Sequence, residues 1–563
     1  MYDSRLDLVC PFSMVRFRPQ LWDALRGYNR ETLVADCVAG VTVGVVALPL
    51  AIGFGIASGV TPSQGLWTAI LGGFLISAFG GSRVQVGGPT GAFVPLLAGI
   101  VAGYGYGGLA VATLMAGVIL VLMGVLRLGS LIKFIPYPVT AGFTSGIAVI
   151  IFVGQVKEFL GLGIALPRHT PHQIAAVCAH LSETQWQTAG LGLLALVILF
   201  AWPKRWARVP ASMVALVVTT VLVAGLQLDV QTIGSKFGGI PRGLPPLAWP
   251  TVDFAMVQAL LLPALTIAML GSIESLLSAI VADGMTESRH DSNQELIGQG
   301  LANIVVPFFG GISATGAIAR TATNVRSGAR TPVAGLVHAL TLLVVVLVAA
   351  PLATHIPLTA LSAVLFVVAL RMGEWENFPE MWRGPKSDFG VLVTTFALTV
   401  VFDLTIAVGV GLLMAGVLFV RRMEEITQIK LVTPESEMDQ GGDSIRDKAV
   451  PAGVLVYRIE GPFFFGAAEK LEAALGRHAA VPQVVIFRMR NVPAVDATGL
   501  HALEVMLDKF RRKGTQLVLS GMQPQPMKVL YETGFVDQIG LDNICPNLDG
   551  ALVRARELVA ATQ

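Results

Sequence analysis

The stretch Gly-Gly-Pro-Thr-Gly-Ala-Phe at residues 87–93 interrupts a long apolar region, and a related stretch, Gly-Gly-Ile-Ser-Ala-Thr-Gly-Ala-Ile-Ala-Arg, occupies residues 310–320. Glycine and proline at this density break transmembrane helices, and a bilayer tolerates such breaks only where the freed backbone groups face protein or a water-filled cavity. Paired broken segments in two halves of a chain are typical of transporter binding sites. The N–H groups at their helix starts favour an anion as cargo.

The composition is that of a membrane protein with many spans. The 563 residues are 54% hydrophobic and 13% charged, whereas soluble proteins are about 25% charged. A formal net charge of +2, with basic residues spread among the loops, argues against nucleic-acid binding. The four cysteines lie far apart without metal-ligand spacing, so neither a disulfide framework nor a metal site is indicated.

Fourteen apolar segments are long enough to cross the hydrocarbon core directly, or as tilted or broken helices. Lys and Arg concentrate in loops after even-numbered segments, which places residues 1–32 in the cytoplasm. Seven segments in each half predict an inverted repeat, although glycine-rich helices that simply pack closely are an alternative. The approximate segments are 33–56, 63–80, 88–103, 107–127, 136–156, 187–203, 209–227, 256–280, 294–309, 316–329, 332–350, 356–371, 387–402 and 404–420.

The chain changes character after this membrane domain, which we place at residues 33–420. Residues 421–449 are charged and contain glycine, as a linker does, and residues 450–563 show the periodicities of a small α/β domain. Within that domain, Thr498 opens an amphipathic helix and could accept a phosphate. Asp496 can cap the same helix, and an ordinary cap is the plainer interpretation.

Arg320 is the candidate anion-binding side chain. Its forked guanidinium lies at a predicted helix start, where backbone N–H groups can bind an oxyanion together with it. An arginine at a helix end can instead extend to the membrane interface. Opposite it, the first broken segment would complete a clamp. The backbone and side-chain candidates are Thr90, Gly91, Ala92, Ala317, Ile318 and Ala319.

Glu274 is a carboxylate within an otherwise apolar segment, where acidic residues usually face a cavity and carry protons or ions. It is therefore the candidate proton-coupling residue, with a fixed Glu274–Arg320 pair as the alternative.

Phe54 follows Pro49 in a segment that should kink, and it lines either the substrate path or the core. Asp36 and Asp403 lie near segment ends, where water is close, and receive no transport role.

These residues together resemble the SulP family of anion transporters, also called the sulfate permease or solute carrier 26 family, and the tail resembles a STAS domain. The stretches that carry the resemblance are residues 88–91, 271–277, 295–300, 310–320 and 496–499. The resemblance implies a seven-plus-seven inverted repeat, separate core and gate domains, an elevator-like movement and a homodimer. Family members carry sulfate, bicarbonate, chloride or dicarboxylates.

Within the family, the run from Glu274 to Arg320 is most similar to the bacterial branch of C4-dicarboxylate transporters, which implies proton-coupled import. Sodium-coupled bicarbonate members have Asp in place of Glu274 and Thr in place of Ser278 and Ile318, which argues against sodium coupling here. Many animal members have Ser where this chain has Ala319, so backbone N–H groups and Arg320 are left as the main anion contacts.

We therefore predict a secondary active anion transporter of the inner membrane, with both termini in the cytoplasm, rather than an enzyme. It needs no cofactor or metal. Its expected partners are the lipid bilayer, protons, a small anion, a second copy of the chain and a cytoplasmic protein that meets the STAS domain. The alternatives are a sulfate or other inorganic-anion carrier, a channel, or a membrane sensor that signals through its tail.

Overall fold

The computed structural model describes residues 17–562, except for 131–135, 168, 204–208, 242, 252, 403, 434–443, 446–447, 465–468, 472–473 and 475–480. The first half of the predicted N-terminal segment (residues 1–16), Asp403 and part of the predicted linker therefore lie outside the described residues. The chain divides after Leu413 into two compact units, which we call the membrane unit and the tail unit.

The membrane unit is built from helices. In its first half they are α1 (Gln20–Ala24), α2 (Arg30–Ala57), α3 (Pro62–Trp67), α4 (Gly73–Phe79), α5 (Val94–Val125), α6 (Tyr137–Leu160), α7 (Thr170–Ala179), α8 (Trp186–Ala201), α9 (Ala211–Leu226) and α10 (Ile233–Phe237). In its second half they are α11 (Phe254–Thr286), α12 (Ser292–Val305), α13 (Ile318–Arg326), α14 (Val333–Ala353), α15 (Leu358–Met372), α16 (Asn377–Arg383), α17 (Lys386–Val401) and α18 (Leu404–Ile426), which runs on into the tail unit.

Seven helical segments among the described residues are long and apolar enough to cross a membrane. They are Arg30–Ala57, Gly91–Val125, Tyr137–Leu160, Phe254–Thr286, Val333–Ala353, Leu358–Arg383 and Ile406–Ile426. Two shorter apolar helices, α8 and α9, accompany them. Helices of this length in an apolar chain form a multi-pass membrane protein, and the count of fourteen spans stays a prediction.

Some glycines of the membrane unit do serve close helix packing. A Cβ added to Gly117 of α5 would lie 2.7 Å from the backbone nitrogen of Ile304, and one added to Gly300 of α12 would lie 2.7 Å from the carbonyl oxygen of Gly117. Small residues let α5 and α12 approach backbone to backbone. Gly105 has a different use, because its φ of +66° breaks α5 between the two predicted segments.

The tail unit is a five-stranded sheet with helices on both faces. The membrane unit contains two short strands, β1 (Gly87–Gly88) and β2 (Thr315–Gly316). The strands of the tail unit lie in chain order in its sheet, β3 (Gln428–Leu431), β4 (Val454–Glu460), β5 (Val484–Asn491), β6 (Gln516–Ser520) and β7 (Ile544–Cys545). Only β3 and β4 run antiparallel among these pairs. The helices are α19 (Ala497–Arg512), α20 (Pro524–Glu532), α21 (Phe535–Ile539) and α22 (Leu548–Thr562). Apolar clusters fill both sides of the sheet, as expected for parallel strands.

The structure differs from the predicted linker at residues 421–449. Helix α18 continues to Ile426, and β3 then forms an edge strand that pairs with β4. The sheet therefore begins before the predicted start at residue 450. A four-residue edge strand with alternate exposed polar residues, Gln428 and Lys430, carries too little apolar pattern to be told from a charged linker.

Candidate functional site

The two broken segments meet in the membrane unit through a short pair of strands. Strands β1 (Gly87–Gly88) and β2 (Thr315–Gly316) pair antiparallel, with Gly87 opposite Gly316 and Gly88 opposite Thr315. Each strand leads directly into a helix, because a 3-10 turn at Gly91–Phe93 precedes α5 and Ala317 precedes α13. The pairing therefore brings two helix starts from remote parts of the chain into one place.

Neither helix start is capped by its own side chain. Thr90 occupies the cap position before the 3-10 turn without bonding to it, and Ala317 has no polar atom to offer α13. Threonine at this position normally accepts a hydrogen bond from a first-turn N–H group. The helix starts thus keep backbone N–H groups that a bound anion could satisfy.

The hydroxyl of Thr90 is used elsewhere. Its Oγ1 donates a hydrogen bond of 2.8 Å to Oε2 of Glu274, which is half-buried on α11. Among the described residues Glu274 makes no ion pair with Arg320 within 4.0 Å, so the alternative of a fixed direct pair does not describe this structure. The predicted coupling residue therefore contacts the first helix start rather than the arginine.

Arg320 holds the first broken segment in place. Its side chain is 2% exposed, with Nη1 donating to the carbonyl oxygen of Gly87 at 3.3 Å and Nη2 donating to the carbonyl oxygen of Pro89. A guanidinium that binds two carbonyls in the interior does not extend to the membrane interface, which removes that alternative. Its positive charge lies directly behind the residues that open α5.

The rest of the same face of α13 continues this attachment. Thr321 Oγ1 accepts hydrogen bonds from the backbone nitrogen of Val86 and from Ser278 Oγ, each at 3.1 Å. Asn324 Nδ2 donates to the carbonyl oxygen of Val84 at 2.8 Å. Since all of these groups are buried, α13 and the segment before β1 form one hydrogen-bonded body.

Phe54 lies beside the first helix start. A Cβ added to Gly91 would lie 3.3 Å from Cε1 of Phe54, 3.2 Å from Cδ1 of Ile151 and 3.2 Å from Sδ of Met372. Ile151 on α6 and Met372 on α15 were not predicted, because nothing in their local sequence distinguishes them from other core residues. The three side chains form an apolar wall against Gly91.

The remaining predicted residues differ in their access to the surroundings. Thr90, Ala92 and Ala317 are buried, whereas Ile318 is 39% exposed and Ala319 is also exposed. The start of α13 is therefore the more open side of the site, and the start of the 3-10 turn is the more enclosed side.

Two buried side chains of α12 support the site and were missed by sequence reasoning. Asn303 bonds both ways with the backbone of Ala314, whose nitrogen donates at 2.9 Å and whose oxygen accepts at 2.8 Å. Glu295 accepts hydrogen bonds from the backbone nitrogens of Gly81 at 2.9 Å and Ser82 at 3.1 Å. The available signal was the polar content of a predicted apolar segment, in Gln294, Glu295, Gln299 and Asn303.

In the tail unit, Asp496 caps α19 and Thr498 lies exposed in its first turn. Oδ1 of Asp496 accepts from the backbone nitrogen of Gly499 at 2.7 Å. The plainer interpretation of Asp496 therefore describes the structure, and the phosphate acceptor role of Thr498 stays a prediction. The exposed position leaves its hydroxyl accessible from the solvent.

Replacing Asp496 by alanine should loosen the start of α19. Losing an N-terminal cap costs about 1 kcal/mol, which makes the locally opened state about fivefold more populated and its amide exchange faster in proportion. Hydrogen–deuterium exchange of the intact protein, followed on peptides that begin near residue 497, measures this. Asp496→Asn keeps the acceptor oxygen and should exchange like the unmodified protein; equal rates in all three proteins would contradict the cap.

Comparison with known proteins bears on both units. The family model described as "Sulfate permease family" matches residues 33–395, and the one described as "STAS domain" matches residues 446–551. The chain is 44% identical over 518 residues to YvdB of Bacillus subtilis, provisionally named a sulfate transporter, with 92% of this chain and 96% of that protein covered. It is 32% identical over 542 residues to the bicarbonate transporter BicA of Picosynechococcus, with 92% of this chain and 94% of that protein covered.

The fold is also similar to a solved structure. Murine Solute Carrier 26 family member A9, described as an anion transporter, matches with a TM-score of 0.86 over 96% of this chain and 94% of that chain. At 18% sequence identity this likeness concerns the fold alone.

Proposed function

This chain belongs to the sulfate permease family and carries a STAS domain, and from that premise we propose that it is a proton-coupled secondary active transporter of a small oxyanion. The family is one of anion transporters rather than enzymes, and the chain is a multi-pass member of it. Sulfate-like dianions and C4-dicarboxylates are the proposed substrates. Bicarbonate is the second candidate, favoured by the likeness to BicA.

The observation that supports an anion site is the meeting of two uncapped helix starts in front of a buried guanidinium. The N–H groups of Gly91 and Ala92 open one helix, and those of Ile318 and Ala319 open the other. Arg320 adds a full positive charge beside the first helix start, because its guanidinium binds the carbonyl oxygens of Gly87 and Pro89. Partial and full positive charges together favour an anion.

Glu274 is the proposed proton carrier. Its carboxylate lies at the first helix start through the hydrogen bond from Thr90, so a negative charge there opposes the binding of an anion nearby. Protonation removes this repulsion, and proton and anion would then bind together. Import driven by an inward proton gradient follows from that linkage.

An elevator-like movement fits the way in which the site is held. The segment before β1 and α13 are joined by the strand pair and by Arg320, Thr321 and Asn324, so both half-sites would move as one body. Placement in the inner membrane with both termini in the cytoplasm, and assembly as a homodimer, complete the proposal. Cross-linking of purified protein in nanodiscs tests the dimer, and a single-chain band alone would contradict it.

Glu274→Gln is expected to uncouple transport from protons. The amide keeps a partner for the Thr90 hydroxyl and cannot ionise. Proteoliposomes with the purified variant should still exchange labelled anion, while the inward proton gradient no longer drives accumulation. Uptake of radiolabelled succinate, sulfate and bicarbonate, each with and without the gradient, measures this and identifies the substrate.

Asp253→Asn is the matched control, because Asp253 lies exposed at the start of the same helix and makes no side-chain cap. It should behave like the unmodified protein. Gradient-driven accumulation by Glu274→Gln would contradict the coupling role. Absence of flux for all three anions in the unmodified protein would instead favour a sensor that signals through its tail.

Thr498 is the proposed phosphorylation site of the tail. A phosphate there would lie at the start of α19, where the helix dipole stabilises negative charge, and it would change the surface that a cytoplasmic partner meets. Phosphopeptide mass spectrometry of protein purified from growing cells tests this. Peptides that contain only unmodified Thr498 under all growth conditions would contradict it.

A further inference from the structure

A groove of about 590 Å³ opens on the membrane unit, away from the anion site. One wall is the start of α2, and the other is the loop between α13 and α14. The charged residues at its mouth are Arg30, Glu31 and Arg330, and Val34 and Val38 line its apolar part. The groove therefore changes from charged to apolar along α2.

The mouth of the groove carries a net positive charge. Arg330 Nη2 lies 2.9 Å from Oε1 of Glu31, which leaves Arg30 with no ion-pair partner among the described residues. Arg30 and Arg330 are both exposed. A phosphate group entering here would meet two guanidinium groups and one carboxylate that already has a partner.

The apolar part continues as a stripe along α2. Val34, Val38 and Val41 follow at helical spacing, and these residues are 55%, 57% and 47% exposed. They belong to a helix long and apolar enough to cross the membrane. An exposed apolar stripe on such a helix faces acyl chains, so the groove has the polarity profile of a phospholipid, headgroup first and chain below.

The two walls are fixed to each other by Asp36. Although it lies near the start of α2, its carboxylate is fully buried and accepts from the backbone nitrogens of Arg330 at 2.7 Å and Thr331 at 3.1 Å. Tyr28 donates a further hydrogen bond of 3.0 Å. The groove is thus preorganised, and a ligand need not order the loop when it binds.

We propose that this groove binds an anionic phospholipid of the cytoplasmic leaflet. The phosphate lies between Arg30 and Arg330, and an acyl chain follows Val34, Val38 and Val41. Basic pockets beside transmembrane helices on the cytoplasmic side attract anionic headgroups. Free phosphate shares the headgroup chemistry but makes no use of the valine stripe. The location rests on the predicted cytoplasmic N-terminus, and the proposal does not depend on which anion is transported.

Native mass spectrometry of the full-length protein tests the proposal with phosphatidylglycerol and with phosphatidylcholine of the same acyl chains. Phosphatidylglycerol should bind more tightly. Arg30→Gln and Arg330→Gln should each weaken it by about fivefold, since a basic residue near the membrane surface contributes that much. Arg383→Gln, an exposed arginine at the end of α16, is the matched control and should leave binding unchanged.

Val38→Ser separates a lipid from free phosphate. It should weaken phosphatidylglycerol binding while the binding of inorganic phosphate stays the same. Equal affinities for the two lipids, or unchanged phosphatidylglycerol binding in both arginine variants, would overturn the proposal. Disulfide-linked dimers that Val38→Cys forms and the unmodified protein, with its own Cys37 and Cys178, does not would overturn it too, because a second copy would then cover the groove. Melting temperatures and anion uptake of each variant show that it is folded.

Discussion

Arg320→Ala is expected to abolish anion uptake. The change removes the positive charge behind both helix starts and leaves the carbonyl oxygens of Gly87 and Pro89 without their buried donor. A hydrogen bond to a charged group contributes about 1.5–3 kcal/mol, so losing two should lower uptake by about 100-fold or more. Initial rates in proteoliposomes at several anion concentrations measure the effect.

Two variants show what the arginine contributes. Arg320→Lys keeps the charge but cannot bind two carbonyls through one planar fork, so it should recover only a small part of the uptake. Arg326→Ala, at the exposed end of the same helix, should transport like the unmodified protein. If Arg320→Ala retained normal affinity and rate, the anion site would lie elsewhere.

Gly88→Ala should be nearly as damaging, although it adds only a methyl group. Gly88 has a φ of +143°, and an added Cβ would lie 2.4 Å from Nη1 of Arg320 and 3.2 Å from Cα of Ala69. The backbone conformation disfavours alanine, and the methyl group would displace the guanidinium from its carbonyls. We expect uptake to be about 5- to 150-fold slower, since a strained residue costs about 1–3 kcal/mol. Uptake and the melting temperature of the purified variant test it.

Gly107→Ala is the control for Gly88→Ala. Gly107 lies in α5 with no atom within 4 Å of an added Cβ and without a positive φ, so alanine should be tolerated or slightly stabilising there. Normal uptake by Gly88→Ala would show that β1 and the guanidinium can move apart without loss of the site. That result would contradict the tight attachment described above.

The sequence predicted the two broken segments and the helix starts, but not how they join. Repeated glycine and proline in an apolar chain mark a break by themselves, so residues 87–93 and 310–320 could be found. The pairing of β1 with β2 could not, because two-residue strands show no alternation. The attachment of Arg320 to carbonyls also depends on a partner 233 residues away.

The surroundings of buried polar residues were even harder to predict from the sequence. Asp36 was predicted to have water nearby, whereas it is fully buried and binds the backbone at Arg330 and Thr331. Residues 294–309 were predicted as one apolar segment, whereas Glu295 and Asn303 there satisfy loop backbone from other parts of the chain. Local composition indicates which stretches of the chain lie in the membrane. The polar partners of a buried residue are set by tertiary contacts, which local composition does not show.

The strand pair has a consequence for biosynthesis. At about 5–20 residues per second, translation takes on the order of ten seconds or more to extend from Gly87 to Arg320. During that interval the first broken segment has already left the ribosome, while the donors that satisfy its carbonyls do not yet exist. The nascent chain must therefore keep this segment shielded from lipid, in contact with water or with the insertion machinery, until α13 arrives.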